Sequence, residues 1–146
     1  MKNLTLVNVV AEVLYTKTLT SAHTEKGKRM GTNYYAVRNK PTVEPPHHIG
    51  KSSAGWLFNF QEQNDSWTEP PIVWNTWPQV KDWLKKYTVD TWAYVIMDEY
   101  DEIIPYDDFV KMVEEKQNDP FCKDNPDNFS YSRNVDGYRF TREEFF

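Results

Sequence analysis

The sequence predicts an α+β fold, a mainly antiparallel sheet with two helices packed on one face. Three observations predict it. Several short segments are rich in aromatic and β-branched residues. Two later segments carry apolar residues at helical spacing behind helix-start signals. The C-terminal region reads as a hairpin turned by Val135-Asp136-Gly137.

Taken in order, residues 3–20 are ambiguous. Leu4, Val7, Ala11 and Leu14 keep helical spacing, whereas the many β-branched residues suit a strand. The following "TSAHTEKGKRMG" is polar, lacks a period and reads as a linker. "GTNYYAVR" at 31–38 is the first clear strand. Pro41, Pro45 and Pro46 then favour extended, unpaired backbone. In "HHIGKSSAGWLFNF" two extended runs flank Ser52-Ser53-Ala54-Gly55, as in a hairpin. Trp56, Phe58 and Phe60 are expected to share one buried face. Residues 61–75 read as a long polar-aromatic loop. "NTWPQVKDWLKKY" reads as a helix with Thr76 as N-cap, Pro78 in the first turn and an inward stripe of Val80, Trp83, Leu84 and Tyr87. "WAYVIMDEYDEIIP" reads as strand, turn and short strand, with Trp92, Tyr94 and Ile96 on one face. "PYDDFVKMVEEKQ" is a second amphipathic helix, with Phe109, Met112 and Val113 pointing inward.

A chain of 146 residues suits one domain with one core. Aromatic residues make up 16% of it, so that core is expected to be built from rings. The only cysteine is Cys122, which excludes an internal disulfide and a cysteine-rich zinc site and fits an intracellular compartment. No apolar run approaches the length of a membrane span. The N-terminus matches a signal peptide poorly, because Asn3, Thr5, Asn8 and Glu12 interrupt it.

Charge is unevenly spread. The net charge is −5, which argues against a general nucleic-acid binder. Residues 1–60 hold eight Lys/Arg and three Asp/Glu, whereas 61–146 hold nine and nineteen. The densest acidic stretch, 98–119, is either a solvated helix face or a docking surface for a basic partner. In the second case Asp107, Asp108, Glu114 and Glu115 would carry it.

"HHIGKSSAGW" at 47–56 invites three chemical readings. A phosphate-binding loop of the Walker type needs a glycine five positions before Gly50, where this chain has Pro45, and a helix after Ser52, where it has aromatic alternation. Adjacent His47 and His48 on a strand point to opposite faces, and His23 lies in the linker, so a histidine metal site is disfavoured. Ser52 and Ser53 lack a nucleophile elbow. Asp98, Glu99, Asp101 and Glu102 read as an acidic turn rather than paired catalytic carboxylates. No catalytic residue, metal or cofactor is assigned. The remaining ligand reading gives His48, Lys51 and Ser52 a contact to a phosphate or a partner carboxylate.

"MGTNYY" at 30–35, "HIGKSSAGW" at 48–56, "DEYDEII" at 98–104, "VDG" at 135–137 and the closing "EEFF" occur in order. Together they resemble a family of small proteins of tailed phages and prophages, over about residues 30–146. Many members of that family carry a Cys-x-x-Cys between the first two motifs. Here "RNKPTVEPPH" stands in its place, so a thiolate site is absent. The resemblance starts at Met30. Codons for the preceding Glu25-Lys26-Gly27-Lys28-Arg29 include a purine-rich run like a ribosome-binding site. Residues 1–29 are therefore expected to be a flexible or upstream-translated extension, and 30–146 the single domain.

The resemblance implies a phage-encoded accessory protein in the cytoplasm of the infected bacterium. Small size, many rings and an acidic half suit a protein interface, so the chain is expected to bind and modulate a host protein through a basic surface on that partner, inhibition of a host defence system being one such task. The competing expectations are a small nucleotide- or nucleic-acid-processing enzyme using the "HIGKSS" loop and, third, a virion component.

Overall fold

The computed structural model describes residues 31–123 and 132–145. The ambiguous segment at 3–20, the linker, the N-terminal extension and the start of the C-terminal region lie outside the described residues. The fold is α+β. Strands β1 (Gly31–Arg38), β2 (His47–Ser53), β3 (Asn59–Gln61), β6 (Tyr94–Asp98), β7 (Ile103–Ile104), β8 (Ser132–Val135) and β9 (Tyr138–Thr141) form one sheet in the order β7-β6-β1-β2-β3-β9-β8. All its pairings are antiparallel except β3 with β9.

Helices α1 (Trp77–Leu84) and α2 (Tyr106–Asn118) cover one face of this sheet. Thr76 caps α1, its hydroxyl accepting from the Gln79 N–H at 3.3 Å, and Pro78 sits in the first turn. The Gln79 side chain reaches back to the Asn75 N–H at 2.8 Å. α1 widens into π-helical turns over Lys85–Asp90. Phe109 and Val113 of α2 are buried in the same core as Val80, Trp83 and Leu84 of α1. A short helix, α3 (Pro120–Lys123), follows.

The core is built from rings. Phe60 stacks on Phe140 at a centroid spacing of 4.8 Å and packs at a tilt against Phe58 at 4.6 Å, with Tyr34 and Phe109 meeting edgewise nearby. Gly50 makes this possible. A Cβ there would lie 2.4 Å from both the Phe58 ring and the Asn59 carbonyl, so only glycine lets the ring lie against β2. On the other side of the sheet Val37, Val95 and Met97 make a small second cluster.

Three expectations change. Residues 61–75 are not a plain loop: β4 (Gln63–Asp65) and β5 (Ile72–Trp74) pair antiparallel as a separate ribbon. Ile72 and Trp74 enter the core, and the Trp74 indole donates to the Gln61 carbonyl at 2.8 Å. Trp56 is half-buried and outside the core, with the Arg139 guanidinium 5.8 Å from its ring centre. The physical reason is the turn. The Trp56 N–H bonds the Ser53 carbonyl and Gly55 sits at φ 81°, so Trp56 belongs to the turn and the alternation of β3, which begins at Asn59, does not extend back to it. Trp92 precedes β6 at φ 59° and is largely exposed, so it does not share the inward face of Tyr94 and Ile96. Met112 points inward as expected and packs, half-buried, against the core.

Candidate functional site

The hairpin expected from "HHIGKSSAGW" is present, β2 pairing with β3 through Gly50–Phe60 and Lys51–Asn59. A β-bulge opposite Tyr34 and Tyr35 changes what β2 displays. Tyr35 pairs with His48 and Asn33 with Lys51, so His48 and Lys51 share the helix-free face although three positions separate them. Ile49 and Gly50 face the core. Ser52 pairs with Thr32, one position out of phase with Lys51, and belongs to the opposite face. The three residues expected to act together are thus split: His48 and Lys51 on one face, Ser52 on the other.

His48 is the centre of a network on that face. Its Nε2 lies 2.9 Å from Asn33 Oδ1. The Asn33 side-chain N–H and its backbone N–H both donate to Glu99 Oε1, at 3.3 and 2.7 Å. With the Asn33 amide oriented by Glu99, its oxygen accepts and the His48 proton belongs on Nε2. Nδ1 faces Gln61 Oε1 at a longer 3.4 Å, because the Gln61 NH₂ is turned to the carbonyls of Thr141, Arg142 and Glu143. The Tyr35 and Phe145 rings flank the imidazole at 5.2 and 4.8 Å. Burial pushes the His48 pKa below its ordinary value, against the opposing pull of the Gln61 and Gly50 contacts and of Glu144 and Glu99. Asn33 and Tyr35, His48, Glu99, and Phe145 come from four of the five motifs that carry the family resemblance, and they converge here. Beside them lies a half-open cavity of about 340 Å³, bordered by Tyr35, Pro46, Glu62, Arg142, Glu144 and Phe145.

Sequence reasoning missed a second cluster, on the core-facing side of β2. The Glu44 carboxylate accepts from Arg38 Nε at 3.1 Å, from His47 Nε2 at 2.7 Å and from the Tyr94 hydroxyl at 2.7 Å. Burial works against its ionisation, but these three donors outweigh it and hold the Glu44 pKa below the usual carboxylate value. Burial and the bond to Glu44 push the Tyr94 hydroxyl far up. Only a proline-rich loop that folds Glu44 back over β1 and β6 creates this cluster, and no residue spacing announces it.

The acidic residues lie along α2. Asp107 and Asp108 are exposed in its first turn, where the helix dipole favours them. Glu114 meets Lys81 of α1 at 3.6 Å, and Glu115 meets Lys111 one turn back at 3.8 Å. Asp107, Val110, Lys111, Glu114, Glu115 and Asp119 line an open groove of about 490 Å³. Asp108 lies outside the groove lining. Tyr106 and Tyr138 report the local field: burial first, then Glu114 and, for Tyr106, also Asp82 and Asp107, raise their hydroxyl pKa values.

The remaining candidates have structural settings. Asp98 Oδ1 accepts from the Tyr100 and Glu102 N–H groups, and Asp101 sits at φ 65°, so the acidic run is a hydrogen-bonded turn. Cys122 is buried, and burial pushes its thiol up. The Ser53 carbonyl accepts from Lys116 Nζ at 2.7 Å, which ties the hairpin turn to α2. Among the described residues no group of three or more His, Cys, Asp or Glu is placed to hold a metal ion, and no helix is long and apolar enough to cross a membrane. Compared with known proteins, the chain matches no family model, no curated protein and no solved structure.

Proposed function

We propose that this chain is a non-catalytic binding protein, a phage accessory protein that docks a basic surface of a bacterial host protein against α2 and modulates that partner. Inhibition of a host defence system is one task of this kind. The observation that carries the proposal is the groove along α2, where four carboxylates and one lysine surround Val110. A basic surface would be steered to such a patch and held at its apolar floor. Trp67 adds support. It is 94% exposed, and its loop is braced by hydrogen bonds from the Trp67 N–H to Asp65 Oδ1 and from the Thr68 hydroxyl to the Asp65 carbonyl. An exposed tryptophan is a common anchor at protein interfaces. The enzyme alternative draws no support from Gly50-Lys51-Ser52, which lies within an internal strand rather than in a loop that opens a helix.

Capture of a host protein from lysate, with the wild-type chain and with D107K/D108K/E114K/E115K, tests this. Loss of capture in a variant that melts normally, together with weaker capture at higher salt, is the expected result. Capture insensitive to both would reduce the acidity of α2 to a solvated surface.

A further inference from the structure

We propose that the cavity beside His48 binds an arginine side chain presented by a partner protein, which takes the place of Arg142 at Glu62. This rests on the chain being a protein-binding protein but uses a different surface, the helix-free face of the sheet.

With Arg142 displaced, the cavity lining keeps, among the described residues, Glu62 and Glu144 and no lysine or arginine, so it favours a cation. Glu99 acts from behind Tyr35. Two groups feel this field. The Tyr35 hydroxyl is pushed up by burial and then by Glu99, and His48, lowered by burial, is pulled back by Glu144 and Glu99. Among the described residues Arg142 is the only lysine or arginine in the lining. An anionic ligand would therefore meet two carboxylates and one guanidinium.

Arg142 also shows that the place accepts a guanidinium and that the occupant can be exchanged. Its Nε lies 3.4 Å from Glu62 Oε2, while its side chain is 76% exposed. Glu62 itself is only 10% exposed, and its other oxygen is held by Arg133. An ion pair with one partner in water contributes little, so replacing Arg142 costs little. A guanidinium entering the cavity would keep the carboxylate bond and add contact with the Tyr35 and Phe145 side chains, with Pro46 as an apolar wall. A cation beside aromatic rings gains more as water is excluded, and the planar fork of arginine matches a carboxylate better than an ammonium does. The balance favours the incoming side chain over the resident one.

The test is a titration of the full chain with Nα-acetyl-arginine amide, followed by amide NMR shifts, with the neutral isostere Nα-acetyl-citrulline amide as control. Saturable shifts at Tyr35, His48 and Phe145, with a Kd on the order of millimolar, are expected for the arginine probe alone. E62Q should weaken binding about tenfold or more, since it leaves the shape and removes the charge. R142A should tighten it by about two- to fivefold, the worth of an exposed pair. Absent shifts, equal response to citrulline, or an R142A variant that binds no better would each overturn the proposal. The four-lysine α2 variant should bind the probe as the wild type does, so failure here and failure of the α2 docking surface are separate outcomes. Should E62Q fold poorly, R142A and Y35L decide, the latter expected to lose the probe.

Discussion

At the residue scale, burial rather than residue type separates the rings of the β2–β3 hairpin. Phe60 is fully buried between Phe58, Phe140 and Trp77, whereas Trp56 is half-buried beneath Arg139. Phe60→Ala is therefore expected to cost about 3–5 kcal/mol, and Trp56→Ala clearly less, despite its larger ring. Urea denaturation of both variants checks this, and equal losses would show that Trp56 is the core residue its sequence position suggests. His48 yields a pH prediction. Its folded pKa lies below the ordinary value of about 6.5, so on acidification the unfolded chain takes up the proton first. The stability due to neutral His48 is complete above that value and is lost as pH falls towards the folded pKa. His48→Gln should flatten the fall in denaturation midpoint between about pH 7 and pH 5 relative to wild type. Parallel curves for the two proteins would contradict it. The Ser52 hydroxyl, by contrast, is on the wrong face to assist His48, and the β-bulge that places His48 with Lys51 leaves no mark in the sequence.

At the scale of elements, local chemistry predicts well where one segment settles its own fate. Thr76, Pro78 and the Val80-Trp83-Leu84 stripe define α1 without reference to the rest of the chain. Thr76→Ala removes the acceptor for the Gln79 N–H and is expected to cost about 1 kcal/mol, seen as a lower thermal midpoint with the fold retained. A change within error would mean that Gln79 and water already satisfy the end of the helix. The β8–β9 hairpin is equally local: Asp136 and Gly137 take positive φ values of 54° and 88°, as a two-residue turn between right-twisted strands demands. The ribbon of β4 and β5 is the opposite case. β4 is the polar Gln63-Asn64-Asp65 and β5 only Ile72-Val73-Trp74, too short for a readable alternation, and Trp74 is drawn inward by α1 and the Gln61 carbonyl.

At the scale of the whole molecule, the parallel pairing of β3 with β9 joins chain segments about eighty residues apart. β9 lies between β3 and β8, and Phe140 stacks on Phe60 at 4.8 Å. A chain ending at Gly137 would expose that ring and the edge of β3. It is expected to lose its cooperative thermal transition and to bind a hydrophobic dye. A sharp transition near the wild-type temperature would show that β9 is an accessory strand. The same closure brings Thr141, Arg142 and Phe145 beside Gln61, Glu62 and His48, so the candidate cavity exists only once the two ends of the domain meet.

The sequence by itself determined the α+β class, the two helices and their inward stripes, the hairpins at 47–61 and 132–141 and the acidity of α2. These follow from side-chain period, cap chemistry and turn residues, which act over a few positions. Tertiary structure alone decided the bulge that turns His48 and Lys51 to one face, the half-buried place of Trp56, the Glu44 cluster and the cavity under Phe145. Each depends on which distant strand supplies the neighbouring atoms, and such contacts are selected by the packing of the whole sheet rather than by the residues that make them.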